Sequence, residues 1–210
     1  MSHVFHRTRS APAAAISGEG IHLRLADGRD IIDGSGGAAV ACLGHGNRRV
    51  AEAIAAQAQR MAYAHTGFFT SEPAEALADL LLDGNPGGLS HAYFCSSGSE
   101  GTEAALKLAR QYFVERGEGQ RRTFIARRQS YHGTTLGALA AGGNMMRRAP
   151  DAPILAEPFH HVSPCFAYRF QESGESDAEY VRRLARELEA AFQRLGPDTV
   201  AAFIAEPVVG

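Results

Sequence analysis

Three short groups of residues in this 210-residue chain have the types and spacing that chemistry needs. In the first, the apolar run Tyr93-Phe94-Cys95 enters the small turn Ser96-Ser97-Gly98-Ser99, and an amphipathic pattern begins at Glu100. Backbone N–H groups at a helix start, the hydroxyls of Ser97 and Ser99 and the positive end of the helix dipole converge there on one spot, a seat for a phosphate. Ser97 and Glu100 also have capping-box spacing, so an ordinary capped helix reads the same residues equally well. The second group, Ser130-Tyr131-His132-Gly133-Thr134-Thr135, follows an apolar run, at the strand end where ligands sit in α/β sheets. Tyr131 there can stack on a planar ring, and Gly133 lets that ring approach; a surface turn with a half-buried tyrosine is the competing reading. The third, Ala205-Glu206-Pro207-Val208, places a carboxylate at another strand end. Such a carboxylate is costly unless it faces a polar cavity or a partner, though a strand stopped by proline would look the same. Each signal is weak singly, but three at successive strand ends are much harder to obtain by chance.

The elements that must position these groups follow from periodicity. Residues 16–33 read as a hairpin with Asp27-Gly28 as its turn. Gly34 to Gly46 is glycine-rich and reads as a buried loop where backbone passes close to something. Asn47 caps a predicted helix to about Met61, with Val50, Ile54 and Ala58 on one face, and Ser71 caps a second, with Leu77, Leu80 and Leu81 inward. Strand and helix then alternate: strand 92–95, helix 100–116, strand 123–127, short helix 134–141, a mostly irregular stretch 142–176, helix 177–195 and strand 199–205. The pattern implies an α/β fold, a largely parallel sheet with flanking helices, plus a small N-terminal segment. Residues 1–48 are expected to form that segment and 49–210 the first part of a larger domain. Stopping just after a strand leaves an uncovered face, so a truncated domain is expected.

Bulk properties narrow the function classes. A formal net charge of −2 from 21 basic and 23 acidic residues suggests neither nucleic acid nor an anionic membrane as partner. No apolar run approaches the length of a membrane span, and the N-terminus lacks the apolar core of a secretory signal. Cys42, Cys95 and Cys165 lie far apart, an odd count that favours a reducing cytoplasm over a disulfide framework or zinc site. His160-His161 has no third ligand spaced to complete a metal site.

In order and wording these motifs resemble the class III aminotransferases, pyridoxal-phosphate enzymes of fold type I, over nearly the whole chain. The likeness runs from Asp27-Gly28-Arg29-Asp30-Ile31-Ile32-Asp33 through Leu43-Gly44-His45-Gly46, Ser97-Gly98-Ser99-Glu100 and Lys107-Leu108-Ala109-Arg110 to Tyr131-His132-Gly133 and Glu206-Pro207-Val208. The resemblance implies that Gly98 and Ser99, with Ser97 alongside, bind the phosphate of pyridoxal 5'-phosphate. It implies that Tyr131 stacks on the pyridine ring, that His132 packs behind it, and that Glu206 lies near the ring hydroxyl. It also implies a homodimer with shared active sites that moves an amino group from an amine or ω-amino acid donor to an oxo-acid acceptor such as pyruvate.

Two departures sharpen that expectation. Members of the family have their Schiff-base lysine and pyridinium-pairing aspartate further on, whereas the only lysine here is Lys107, in the middle of a predicted helix. The chain thus matches an N-terminal half and is expected to be inactive alone. Thr134 stands where some carboxylate-handling members have arginine, which leans toward the amine or ω-amino acid group. Ala39 falls where that group commonly has an aromatic, implying a roomier substrate pocket, and Tyr63, Phe68 and Phe69 lie in a segment that reaches across the dimer interface in relatives; core packing explains these aromatics nearly as well. A decarboxylase or aminomutase on the same scaffold, or a non-catalytic partner module, shares these motifs. A dinucleotide binder is disfavoured by the lack of a GxGxxG after any strand.

Overall fold

The computed structural model describes residues 3–155 and 159–209. Its contacts divide the chain into two compact units, Met1–His91 and Ala92–Gly210. This is a division of the chain's own contacts, distinct from the domain boundary expected after residue 48 for a whole protein.

The first unit is built on an antiparallel sheet in the order β1-β2-β3, with β1 Ala15–Glu19, β2 His22–Leu25 and β3 Asp30–Ile32. Asp27-Gly28 makes the β2–β3 turn: Gly28 has φ +88° and the Asp27 carboxylate accepts from the Arg29 N–H at 3.1 Å. The glycine-rich run folds back onto the β1–β2 turn. His45 and Gly20 exchange both backbone hydrogen bonds, at 2.7 and 3.0 Å, and a Cβ on Gly44 would lie 2.9 Å from the Gly20 carbonyl oxygen. Close backbone approach is therefore the reason for glycine here, but most of the run is exposed, not buried as the sequence suggested. Asp33 pins the run, accepting from the Gly36 N–H at 2.9 Å and meeting His45 Nε2 at 2.8 Å. Between them, α1 (Gly36–Ala39) is a single turn with positive φ throughout, including Ala38 at +60° and Ala39 at +67°.

Two helices complete the unit. α2 (Arg48–Arg60) is capped by the Asn47 side chain, which accepts from the Val50 N–H at 3.3 Å. α3 (Glu72–Leu82) follows Ser71, whose side chain makes no capping hydrogen bond. Leu77, Leu80 and Leu81, expected to face inward, are exposed. Periodicity marks a helix face as apolar without saying what covers it.

The second unit holds α4 (Gly98–Glu115), β4 (Thr123–Arg127), α5 (Leu136–Ala141), α6 (Met145–Arg148), β5 (Phe159–Val162), α7 (Ala167–Phe170), α8 (Asp177–Leu195) and β6 (Val200–Phe203). Its sheet is parallel, in the order β5-β4-β6. The central strand reads Thr-Phe-Ile-Ala-Arg, with Phe124, Ile125 and Ala126 buried, as a strand covered on both faces should be. The core gathers Ile125, Val162, Ala191 and Val200, packed against Leu188, Phe192, Leu195 and Phe203. Helix α8 contributes most of one wall; it starts at a full capping box between Ser176 and Glu179 and buries Tyr180.

Two expectations change. Residues 92–95 form no strand, because no ladder partner lies beside them among the described residues. Conversely, residues 142–176 contain β5, which sequence reading missed because two histidines interrupt its apolar pattern. Both have partners: His161 Nε2 lies 3.0 Å from the Ala141 carbonyl oxygen, and His160 Nε2 lies 2.8 Å from Arg194.

Candidate active site

The start of α4 has the properties of an anion seat. Ser97 is the N-cap, with extended backbone, and its hydroxyl accepts from the Glu100 N–H at 3.2 Å. The Glu100 carboxylate turns back to the Ser96 N–H, at 2.8 Å, so the reciprocal half of the expected capping box is displaced by one residue. The N–H groups of Gly98 and Ser99 occupy the first turn, where no intrahelical acceptor exists, and they find none among the described residues. A Cβ on Gly98 would meet nothing within 4 Å, so the approach to these donors is open.

The Tyr131 loop is fastened to this same helix end. Ser99, Thr102 and Glu103 stand at i, i+3 and i+4 on one face of α4. The Ser99 hydroxyl accepts from the Thr134 N–H at 3.0 Å, the Thr102 hydroxyl donates to the His132 carbonyl at 2.7 Å, and one Glu103 oxygen accepts from the N–H groups of Gly137 and Ala138 at 2.9 and 3.2 Å. Glu103 thereby supplies the acceptor that the first turn of α5 needs. Gly133, at φ +134°, lies so close to α4 that a Cβ would be 2.7 Å from the Ser99 hydroxyl and 2.9 Å from its Cα. From the other side, buried Ser130 accepts from the Gly143 N–H at 3.1 Å and donates to the Arg127 carbonyl at 2.7 Å. Thr102 and Glu103 were not foreseen as site residues, although polar residues on the stripe of Ser99 were a signal; Ser130 stood in the Tyr131 motif without a role of its own.

Within this frame Tyr131 is 47% exposed and His132 is half-buried. Burial holds the His132 imidazole below its usual range, while the Glu206 carboxylate pulls the other way. Among the described residues, neither the buried His132 Nε2 nor the Thr135 hydroxyl has a hydrogen-bond partner. Glu206, just past β6, is partly buried and lines a cavity of about 230 Å³ with Gln129, Ser130, Cys165 and Phe166, at the carboxyl ends of the three parallel strands. The second unit therefore brings together Ser97, Gly98, Ser99, Tyr131, His132 and Glu206. Ala39, Tyr63, Phe68 and Phe69 belong to the first unit, where all four are exposed; Phe68 packs edge-on against Phe69 at 6.4 Å between centroids. Lys107 is exposed along α4.

The donor set suits a flat ring carrying a phosphate. Two N–H groups without acceptors and a hydroxyl lie at the start of α4, and the loop fastened there carries a half-exposed aromatic and an unsatisfied imidazole nitrogen.

Comparison with known proteins finds similar chains. The family model described as "Aminotransferase class-III" matches residues 5–210. The chain is 49% identical to an uncharacterized aminotransferase of Schizosaccharomyces pombe over 199 residues, covering 95% of this chain and 43% of that protein. It is 34% identical to a taurine–pyruvate aminotransferase of Rhodobacter capsulatus, covering 99% of this chain and 46% of that one. Among solved structures, a thermostable (S)-enantioselective omega-transaminase from Thermomicrobium roseum superposes with a TM-score of 0.90 at 37% identity, over 100% of this chain and 47% of that one. The chain thus spans less than half the length of the curated relatives it matches.

Proposed function

The chain belongs to the class III aminotransferases, and we propose that the whole protein moves an amino group from an amine or ω-amino acid to an oxo acid such as pyruvate. The observation that carries this reading is the junction of α4 with the Tyr131 loop, where the phosphate seat and the aromatic wall are built as one piece. The family's cofactor is pyridoxal phosphate, which when bound supplies an electron sink for bond breaking at the carbon bearing the amino group. In this chain Gly98 and Ser99 would hold its phosphate through backbone N–H groups and the Ser99 hydroxyl, beside Ser97. Tyr131 would stack on its ring, His132 would pack behind it, and Glu206 would lie near the ring hydroxyl.

Covalent attachment and the pyridinium partner are assigned to residues outside these 210, since Lys107 lies mid-helix and exposed. The 210 residues alone are therefore proposed to bind the cofactor without turning substrate over. In the whole protein, residues 1–48 are read as a small-domain segment and 49–210 as the opening of the large domain. Ala39, Tyr63, Phe68 and Phe69 are read as lining a roomy substrate pocket shared across a cytoplasmic homodimer. Similarity to an omega-transaminase and a taurine–pyruvate enzyme supports donors whose amino group is remote from any acid group.

The full-length protein, loaded with pyridoxal phosphate and pyruvate, is expected to form alanine from taurine, β-alanine or a simple arylalkylamine. Release of CO2, or migration of the amino group within one molecule, would point instead to a decarboxylase or aminomutase. No cofactor-dependent reaction with any of them would overturn the reading.

A further inference from the structure

One cation beside the candidate site is not used by anything described so far. The guanidinium carbon of Arg147 lies 4.9 Å from the centroid of the Tyr131 ring. We propose that Arg147 is the specificity residue that binds the anionic end of the substrate, a carboxylate or sulfonate, next to the Tyr131 wall. This deepens the transaminase reading and rests on it, because every oxo-acid acceptor carries such a group.

The geometry supports a built binding group. Arg147 is exposed, and none of its side-chain N–H donors has a hydrogen-bond partner among the described residues, so the fork is open to a two-pronged bond with a planar carboxylate while the ring attracts its charge. Among the described residues Arg147 has no ion pair, whereas Arg24, Arg121 and Arg183 each have a carboxylate within 4.0 Å. Its backbone is held: the Asn144 side chain accepts from the Arg147 N–H at 3.2 Å, and the next residue, Arg148, reaches the His161 ring at 3.3 Å. Upstream, the Gly143 carbonyl accepts from the Gln129 N–H at 2.9 Å and the Gly143 N–H donates to the Ser130 carbonyl at 3.0 Å. The segment bearing Arg147 is thus tied by its backbone to the loop that bears Tyr131.

The test uses the full-length, cofactor-loaded protein with the variants Arg147→Met and Arg147→Lys. Calorimetric titration with propionate or methanesulfonate reads the anion, and with propionamide the neutral shape. Arg147→Met is expected to weaken both anions by about tenfold or more, to leave propionamide and pyridoxal phosphate affinity within about twofold, and to raise the KM for pyruvate with little change in kcat. Arg147→Lys should restore part of the loss, as a point charge without the fork. Unchanged anion affinity would overturn the assignment. So would a loss confined to pyridoxal phosphate affinity, which would make Arg147 a support for the ring or the phosphate. Failure of the transaminase reading is seen separately, as a wild-type protein that binds propionate but transfers no amino group.

Discussion

Gly133 is the residue on which the junction is most exacting. Its φ of +134° is open to glycine, and the space a side chain would need is taken by Ser99 and Ala138. Gly133→Ala must therefore push the Tyr131 loop off α4. The expected cost is about 2 kcal/mol or more, read by denaturant unfolding, together with a loss of pyridoxal phosphate affinity in the full-length protein. Gly143 is a second such place, because a Cβ there would fall on the Arg127 carbonyl. Ser99 acts differently. Its hydroxyl accepts from Thr134 N–H, so Ser99→Ala is expected to free that donor while leaving the Gly98 and Ser99 N–H groups in place. Phosphate affinity should fall by about tenfold rather than vanish, as titration of the apo full-length protein with inorganic phosphate would show.

At the scale of elements, Glu103 joins α4 to α5. Glu103→Ala strands the N–H groups of Gly137 and Ala138 and is expected to cost about 1–3 kcal/mol. Glu103→Gln keeps one acceptor and should cost less; equal unfolding midpoints for the two variants would refute the capping role. By contrast Ser176→Ala removes only the α8 cap, for about 1 kcal/mol, with cofactor affinity unchanged. Much of this architecture was legible beforehand. Helix α8 was expected over the residues it occupies, because Tyr180, Leu184, Leu188 and Phe192 repeat at helical spacing. β4 was equally plain, as an apolar run after a turn. What escaped was whatever depends on a partner distant in sequence. β5 is held as a strand by β4, through pairs such as Phe124 with Phe159, and its own residues carry little sign of it. Residues 92–95 have the composition of a strand and lack the ladder. The loop behaved the same way: the role of Thr102 is understood only once the loop is seen against α4, and that of Ser130 only once it is seen against Gly143 and the end of β4.

For the second unit as a whole, two sets of groups set its response to pH. His132, His160 and His161 are all held below the usual imidazole range chiefly by burial. Their unfolded forms take up protons first as pH falls through about 6.5, so stability rises with pH across that window and is complete above it. Glu118, Glu175 and Glu179 are lowered by hydrogen bonds, Glu175 to about 2 through Arg183. Their contribution is present above the unfolded carboxyl range and is lost as pH falls through the folded values. The unfolding midpoint is therefore expected to drop in two steps between pH 8 and pH 2. Glu175→Gln should shrink only the lower step and His161→Gln only the upper; a single step unaffected by either would contradict this account.

The fastening of the Tyr131 loop to α4 also has a consequence in time. Its hydrogen bonds join residues no more than 35 apart, the last of them Gly143. In a polypeptide made from its amino terminus, the contacts that shape the phosphate cradle become available once that glycine has left the ribosome. The seat proposed for the phosphate can then take shape before α8 and β6 have been made.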